Sequence, residues 1–391
     1  MRREAFYVPD DGLIYLDGNS LGRLPVEAIP RMREVVEAEW GGRLIRGWNE
    51  GWLDLPSRIA NGLGSVLGVP ARDVAVCDST SVNLYKLAFA AVEARRPRNK
   101  IVTEPGNFPS DLYVLQGLQR VWPDLRIVPS TGDPAEDLDE DTALLCLSHA
   151  DYRTGRLRDL TRINEAAHRV GALTLWDASH SAGACPILGE ANGVDLLVGC
   201  GYKHLNGGPG APAFLYVAQE LQDSLVSPIQ GWFGQSEPFG FQPNYRPARG
   251  IDRFMAGTPP ILALAALEMG VALCAETGIE SIRARSLAQT DAFIEWFDEV
   301  GESYGLRLDS PRSHRERGAH ILFGHPEAWR INLALIEAGV IGDFRTPDGL
   351  RLGPAPLYTT DEEIEHALRT LEGILKSQDW QRFDPVRARV T

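Results

Sequence analysis

Residues 173–203 read LTLWDASHSAGACPILGEANGVDLLVGCGYK. Two short apolar runs, Leu173–Trp176 and Leu196–Val198, lead to Asp177 and, past Gly199-Cys200-Gly201-Tyr202, to Lys203. These runs read as strands, Leu173–Asp177 and Leu196–Cys200. In open α/β sheets, ligands bind outside the carboxyl ends of the strands. Asp177 and Lys203 both fall at that edge, and their separation of 26 residues fits one crossover from strand to strand.

The same alternation continues on either side. Val74–Cys77, Lys100–Thr103, Arg126–Val128, Ala143–Ser148 and Ala213–Val217 bring the expected strands to seven. Helices are expected between them, over Val82–Glu93, Asp111–Val121 and Asp159–Val170. Strands alternating with helices predict an α/β fold, here a large domain built on a mostly parallel seven-stranded sheet. Residues 25–68 are expected to be mainly helical, and Ser227–Pro260, rich in Pro, Gly and aromatics, to be extended loop. Helices over Pro259–Thr277 and Ile279–Val300, short strands near Leu306, His320 and Leu350, and a last helix from Asp361 predict a smaller α+β domain. The expected division is an N-terminal segment, 1–60, packing with the small domain, a large domain, 61–255, and the small domain, 256–391.

Composition narrows the function. The chain has 391 residues with 39 Lys+Arg against 53 Asp+Glu, a net charge of −14 that argues against sequence-independent nucleic-acid binding. Apolar residues make up 44% and charged residues 24%, ordinary for a soluble globular protein. Five widely spaced cysteines without a C-x-x-C pair suggest neither a disulfide framework nor a zinc site. No apolar run is long enough to span a bilayer and no secretory leader is visible, so the expectation is a cytoplasmic protein without a membrane partner. Only Lys86, Lys100, Lys203 and Lys376 are lysines, which leaves 35 arginines. An Arg-rich coding preference explains the scarcity, and surface roles suffice for Lys86, Lys100 and Lys376. Lysine, unlike arginine, can lose its proton and attack a carbonyl.

A lysine and an aspartate at adjacent strand ends suggest pyridoxal 5'-phosphate. The lysine would form the Schiff base, and the carboxylate would keep the pyridine nitrogen protonated so that the ring draws in electrons. Singly, Asp177 reads as a helix cap and Lys203 as a surface lysine; jointly, at this spacing, they read as a cofactor site. Asp78-Ser79-Thr80-Ser81, between a strand and a helix start, offers hydroxyls and amides for a phosphate, or plain capping. Gly207-Gly208-Pro209-Gly210 precedes a strand, lacks a following Lys-Ser/Thr, and reads as a turn.

These residues, with others in order along nearly the whole chain, resemble kynureninase, a pyridoxal-phosphate enzyme of fold type I, the aspartate-aminotransferase or PLP-dependent transferase-like fold. The resemblance rests on Tyr15-Leu16-Asp17-Gly18-Asn19-Ser20-Leu21-Gly22, Phe108-Pro109-Ser110-Asp111, Trp176-Asp177-Ala178-Ser179-His180-Ser181 and Gly201-Tyr202-Lys203-His204-Leu205-Asn206. Gly231-Trp232-Phe233-Gly234, Gly257-Thr258-Pro259-Pro260 and Arg351-Leu352-Gly353-Pro354-Ala355-Pro356-Leu357-Tyr358 complete it. The resemblance implies that Lys203 carries the cofactor, Asp177 faces its ring nitrogen and Phe108 stacks on the ring. Thr80, Ser81 and Tyr202 would hold the phosphate, with Ser148, Asp111 and His180 completing the shell. Trp232 and Thr258 would reach the cofactor from the partner subunit of a homodimer, and Arg351 would grip the substrate α-carboxylate with its bidentate fork.

The implied reaction is hydrolysis of L-kynurenine to anthranilate and L-alanine, in tryptophan and kynurenine catabolism. Lys203 would be the base at Cα; Tyr202 is either a proton donor or a phosphate ligand only. Family members that prefer 3-hydroxykynurenine carry Asn where Thr258 stands, so Thr258, preceded by Gly257, favours unsubstituted kynurenine. Trp48 is a candidate for the aryl pocket, or a core tryptophan. Rival readings are a cysteine desulfurase, which needs a reactive thiol on a mobile loop, and a metal-dependent hydrolase on His149, Asp177, His180 and His204, whose spacings match no metal motif. A catalytically dead binding protein is a third, and the intact pair Lys203 and Asp177 opposes it.

Overall fold

The strand that ends at Asp177 lies in the interior of a seven-stranded sheet. The computed structural model describes residues 1–9 and 12–386. The strands are β1 (Val74–Val76), β2 (Lys100–Thr103), β3 (Arg126–Pro129), β4 (Thr142–Ser148), β5 (Leu173–Asp177), β6 (Leu196–Gly199) and β7 (Phe214–Val217), arranged in the order β1-β7-β6-β5-β4-β2-β3. The ladders β6-β5-β4-β2-β3 are parallel, and β7 runs antiparallel to both β6 and β1. The mostly parallel sheet expected from the alternating runs is present, with each strand within a residue of its expected bounds.

Burial on both faces explains the unbroken apolar runs. On one face Val76, Val102, Leu145, Leu147, Trp176 and Leu197 meet helices α2 (Leu55–Leu67), α5 (Leu160–Arg169) and α6 (Ile261–Thr277). On the other, Ile101, Leu144, Cys146, Leu175 and Val198 meet α3 (Thr80–Arg95) and α4 (Pro109–Leu118). Neighbouring residues thus alternate faces, as the two-residue period of a strand requires. Local signals set the helix starts: Ser79 caps α3 by accepting from the Val82 amide, Asp159 caps α5 through Arg162, and Pro109 opens α4. That proline places the start of α4 two residues before the expected Asp111. Ahead of the sheet, α1 (Ala28–Glu34) continues as a π-helix over Val35–Arg43 and a 3₁₀ turn over Leu44–Trp48, so the expected helical segment is present in irregular form.

The second core joins α7 (Ile279–Glu299), α8 (Ala328–Glu337) and α9 (Asp361–Ser377) to a four-stranded antiparallel sheet. Its strands β8 (Arg307–Leu308), β9 (Ile321–Gly324), β10 (Asp343–Arg345) and β11 (Gly349–Leu352) are ordered β10-β11-β9-β8. Ile14 and Leu16 enter this core, and Ile14–Tyr15 pairs in parallel with Val340–Ile341. Helix α6 instead shares the core of the large sheet, and the chain bends by 85° between α6 and α7. We therefore propose that the small domain begins at the Gly278 bend rather than at residue 256, because α6 buries its apolar face with the large domain.

Helix α6 also supports the segment after β6. A Cβ on Gly270 would stand 2.1 Å from the Leu205 carbonyl oxygen, so only glycine allows the helix this close to the loop that carries Lys203. Gly270→Ala is expected to lower the unfolding free energy by about 1–3 kcal/mol, the usual cost of overpacking. Urea titration reads this directly, and an unchanged midpoint would show that helix and loop can separate freely.

Candidate active site

At the carboxyl edge of the sheet, a cavity of about 240 Å³ opens between the strand ends and two helix starts. It is lined by Thr80, Ser81, Phe108, Asp111, Ser148, Asp177, His180, Tyr202 and Lys203. Every cofactor candidate expected from within one subunit is therefore on this cavity. Ser79, Ser110, Ala150, Tyr152 and Ser179 line it as well.

Each residue arrives by its own local device. Asp177 ends β5, is buried, and accepts a 2.7 Å bond from the Ser179 amide, which fixes its carboxylate. Register places Ser148 of β4 beside Asp177 and Val198 of β6 on its other side. Beyond β6, the Asn206 amide donates to the Lys203 carbonyl, the Gly207 amide to Gly201, and the Gly22 amide to Tyr202, so the lysine sits on a tied loop. Asn107 accepts from the Ser148 amide and donates to Thr103 and the Cys146 carbonyl, pinning the turn that presents Phe108.

The electrostatics fit a reactive amine. Burial lowers the pKa of Lys203, and its Nζ lies 2.7 Å from His180 Nε2. Burial, then the charge of Lys203, drives the His180 pKa well below the ordinary histidine value, so a neutral ring accepts from the ammonium or orients the amine. Nζ also lies 5.8 Å from the Phe108 ring centroid. Asp111 is held protonated more readily than an ordinary carboxyl, first by burial and then by the nearby Asp177 carboxylate. Its Oδ2 and the Nδ1 of His180 are buried without a partner, as expected of groups awaiting a polar ligand.

The opposite wall suits a phosphate. The starts of α3 and α4 face each other, with Ser81 Oγ and Ser110 Oγ 3.2 Å apart. Two helix N-termini and the four hydroxyl side chains at them, Ser79, Thr80, Ser81 and Ser110, supply amides, dipoles and donors for a dianion. The residues present therefore fit pyridoxal phosphate: the hydroxyls and amides at the two helix starts could hold its phosphate, Phe108 and Asp177 could serve its ring, and Lys203 could bind its aldehyde.

The remaining candidates lie elsewhere. Arg351, on β11, is fully buried behind Tyr152: its Nη1 donates to the Tyr152 carbonyl, and its Nη2 to Ser20 Oγ at 2.6 Å and to Asp343. Trp48 packs edge-on against Trp52 and at 6.2 Å from Phe233, which touches Trp232. Trp232, Gly257 and Thr258 are exposed. None of these five lines the Lys203 cavity of its own chain. Sequence reasoning missed Tyr152 and Asn107; no local pattern marks them, since each acts through a neighbour in space.

The expectation of surface lysines is corrected at two positions. Lys86 is fully buried, bonded to Asp78, the Phe254 carbonyl and Cys77, and Lys100 is buried against Asp139 and the Asp137 carbonyl. A predicted helix or loop shows only local structure, whereas both amines are covered by chain distant in sequence. Lys376 is exposed. Among the rival chemistries, Cys274 is buried, donates to the His204 carbonyl, and has its thiol pushed up to about 12 by burial, unlike a nucleophile on a mobile loop. Among the described residues no group of three His, Cys, Asp or Glu is arranged to hold a metal ion.

Residues 282–371 match the family model described as the kynureninase C-terminal domain. Kynureninase from Pseudomonas fluorescens is 44% identical over 386 residues, covering 97% of this chain and 92% of that protein. Kynureninase from Burkholderia pseudomallei (strain K96243) is 42% identical over 400 residues, covering 100% of this chain and 95% of that protein. Among solved structures, an apo cysteine desulfurase from Thermococcus onnurineus NA1 superposes with a TM-score of 0.81 at 20% identity, covering 93% of this chain and 95% of that one. A C-DES mutant with glycine covalently linked to its PLP cofactor gives 0.81 at 19% identity, covering 95% of this chain and 99% of that one. At such identities the likeness shows the fold alone, which is that of fold-type-I PLP enzymes.

The lowered pKa and the open cavity predict selective chemistry at one lysine. In the cofactor-free protein, mild acylation should modify Lys203 at a pH below that at which an ordinary lysine reacts, because more of its amine is already neutral. Lys86 should stay protected. Peptide mass spectrometry across a pH series reads both, and early labelling of Lys86 would contradict its burial.

Proposed function

The chain belongs to the kynureninase family, and from that premise we propose that it hydrolyses L-kynurenine to anthranilate and L-alanine, using pyridoxal 5'-phosphate held on Lys203. The observation that carries this reading is the cavity in which Lys203, Asp177 and Phe108 face a phosphate-ready rim built from two helix starts.

The residues divide the work by their chemistry. When bound, pyridoxal phosphate supplies an electron sink, deepened by the proton that Asp177 keeps on its ring nitrogen. Ser79, Thr80, Ser81 and Ser110 would receive the phosphate, and Phe108 would offer an aromatic face to the ring. With the substrate amine held by the cofactor, the Lys203 amine would be free to take the Cα proton and to return it to Cα before L-alanine leaves; a desolvated amine with lowered pKa suits such a base. His180, bonded to Nζ, orients it. Water adds to the γ-carbonyl, the Cβ–Cγ bond breaks, and the carbonyl half leaves as anthranilate while Cβ takes a proton to become the alanine methyl group. Burial raises the Tyr202 pKa, so its phenol stays protonated and can supply that proton; a role confined to the phosphate would leave this step to another donor. Arg351 would grip the α-carboxylate by exchanging the Tyr152 carbonyl for it, while Arg345, also paired with Asp343, would still balance the Asp343 carboxylate.

Trp48, Trp232, Gly257 and Thr258 are assigned to the partner subunit's cavity in a homodimer. The support is a shared surface patch: Trp232 is 39% and Phe241 78% exposed, and with Phe233 and Phe239 they form one aromatic cluster beside Trp48. Exposed apolar patches of this kind mark association surfaces. Thr258, in place of Asn, favours unsubstituted kynurenine. Among the described residues no single helix is long and apolar enough to cross a membrane, and five unpaired, buried thiols suit a reducing compartment, so a cytoplasmic location is proposed.

The purified holoprotein is expected to be yellow, to carry its cofactor on Lys203 after borohydride reduction, and to release fluorescent anthranilate faster from kynurenine than 3-hydroxyanthranilate from 3-hydroxykynurenine. Label on Lys86, Lys100 or Lys376 would refute the lysine assignment, and no product from either substrate would refute the activity. Arg351→Ala should raise KM for kynurenine about a hundredfold, as expected for losing two charge-assisted hydrogen bonds. A near-wild-type kcat/KM would remove Arg351 from the site.

A further inference from the structure

Lys86 is unexplained by the reading so far: a cation placed in the second turn of α3 with 0% of its surface exposed. Its three donors are all used, on Asp78 Oδ2 at 2.7 Å, the Phe254 carbonyl at 2.7 Å and Cys77 Sγ at 3.4 Å. Burying an ammonium is costly, so a fold that needed only packing here would be served by a Leu or Met of similar volume. What the charge touches distinguishes this lysine.

Asp78 stands between β1 and the cap of α3, immediately before the Ser79-Thr80-Ser81 turn that faces the cavity, and holds a φ of 50°, unusual for a side chain other than glycine. Its side chain is one-quarter exposed. Without a cation it would set a negative charge next to the place where a phosphate binds. Phe254 opens the stretch Met255-Ala256-Gly257-Thr258. Trp232 rides on this stretch: the Phe233 amide donates to the Ala256 carbonyl, and a Cβ on Gly231 would stand 2.1 Å from that same oxygen. One buried ammonium therefore joins the phosphate-binding turn of a subunit to the segment bearing Trp232 and Thr258.

We infer that Lys86 is a positioning residue that neutralises Asp78 beside the cofactor phosphate and fixes the Phe254–Thr258 segment that completes the kynurenine site. The inference rests on the pyridoxal-phosphate reading of the cavity. It acts through Asp78 and Phe254 and needs no contact between Lys86 and either ligand.

Two variants test it, K86M and the doubly neutral D78N/K86M, by titrating each cofactor-free protein with pyridoxal phosphate and by steady-state kinetics at saturating cofactor. K86M should bind the cofactor roughly tenfold more weakly, since a lone, partly screened carboxylate then opposes the phosphate. D78N/K86M should regain most of that affinity while both variants keep a KM for kynurenine raised several-fold, because the Phe254 tether is lost in each. A merely structural lysine would weaken cofactor binding in single and double variant alike, and that result overturns the inference. So does wild-type cofactor affinity in K86M, or an unchanged KM in both. If K86M fails to fold, D78N/K86M decides alone: near-wild-type cofactor affinity with raised KM supports the inference, and unchanged KM overturns it. Wild-type protein that takes up no pyridoxal phosphate overturns the cofactor reading and this inference together.

Discussion

The parallel pairing of β5 with β6 sets Asp177 beside Val198, and the arrangement of the cavity depends on that register. A slip by one residue would turn Asp177 to the other face of the sheet, because side chains alternate along a strand. Both strands are buried on both faces, so such a slip would also move Trp176 and Leu197 out of the core they share with α2 and α6. Core packing thus enforces the position of the carboxylate. The lysine follows from it, since the tied loop after β6 starts from a strand whose position is already set.

Three cations near this edge are handled in three ways. Lys203 has a neutral histidine for its close partner and keeps a lowered pKa, which leaves its amine available for chemistry. Arg351 is matched by Asp343 and capped by the Tyr152 carbonyl, so its fork is preformed but occupied. Lys86 is matched by Asp78 and fully sealed. Burial is common to all three; the partner decides whether the charge reacts, binds or braces.

The fold is shared with cysteine desulfurases, and the chemistry is not carried by the fold. All five cysteines are buried, and Cys274 is locked against the loop of Lys203 by its bond to the His204 carbonyl. The surface instead carries the aromatic patch around Trp232.

Much of this was legible along the chain because it is local. Apolar run length marks buried strands, a Ser or Asp before a helix marks its cap, and a lysine after a strand marks the ligand edge; Asp177, Lys203 and the Ser79–Ser81 turn were all found so. Only the tertiary structure decided which amines are buried, because Lys86 is sealed by Phe254, 168 residues away, and Lys100 by the loop at Asp137–Asp139. It alone placed Tyr152 in front of Arg351 and set Ser110 opposite Ser81, pairs that lie far apart in sequence. It also packed α6 into the core of the large sheet, the observation on which the boundary proposed at Gly278 rests. Sequence order records which side chains can reach a strand end or a helix start; desolvation and partner choice arise only when distant segments close over a group.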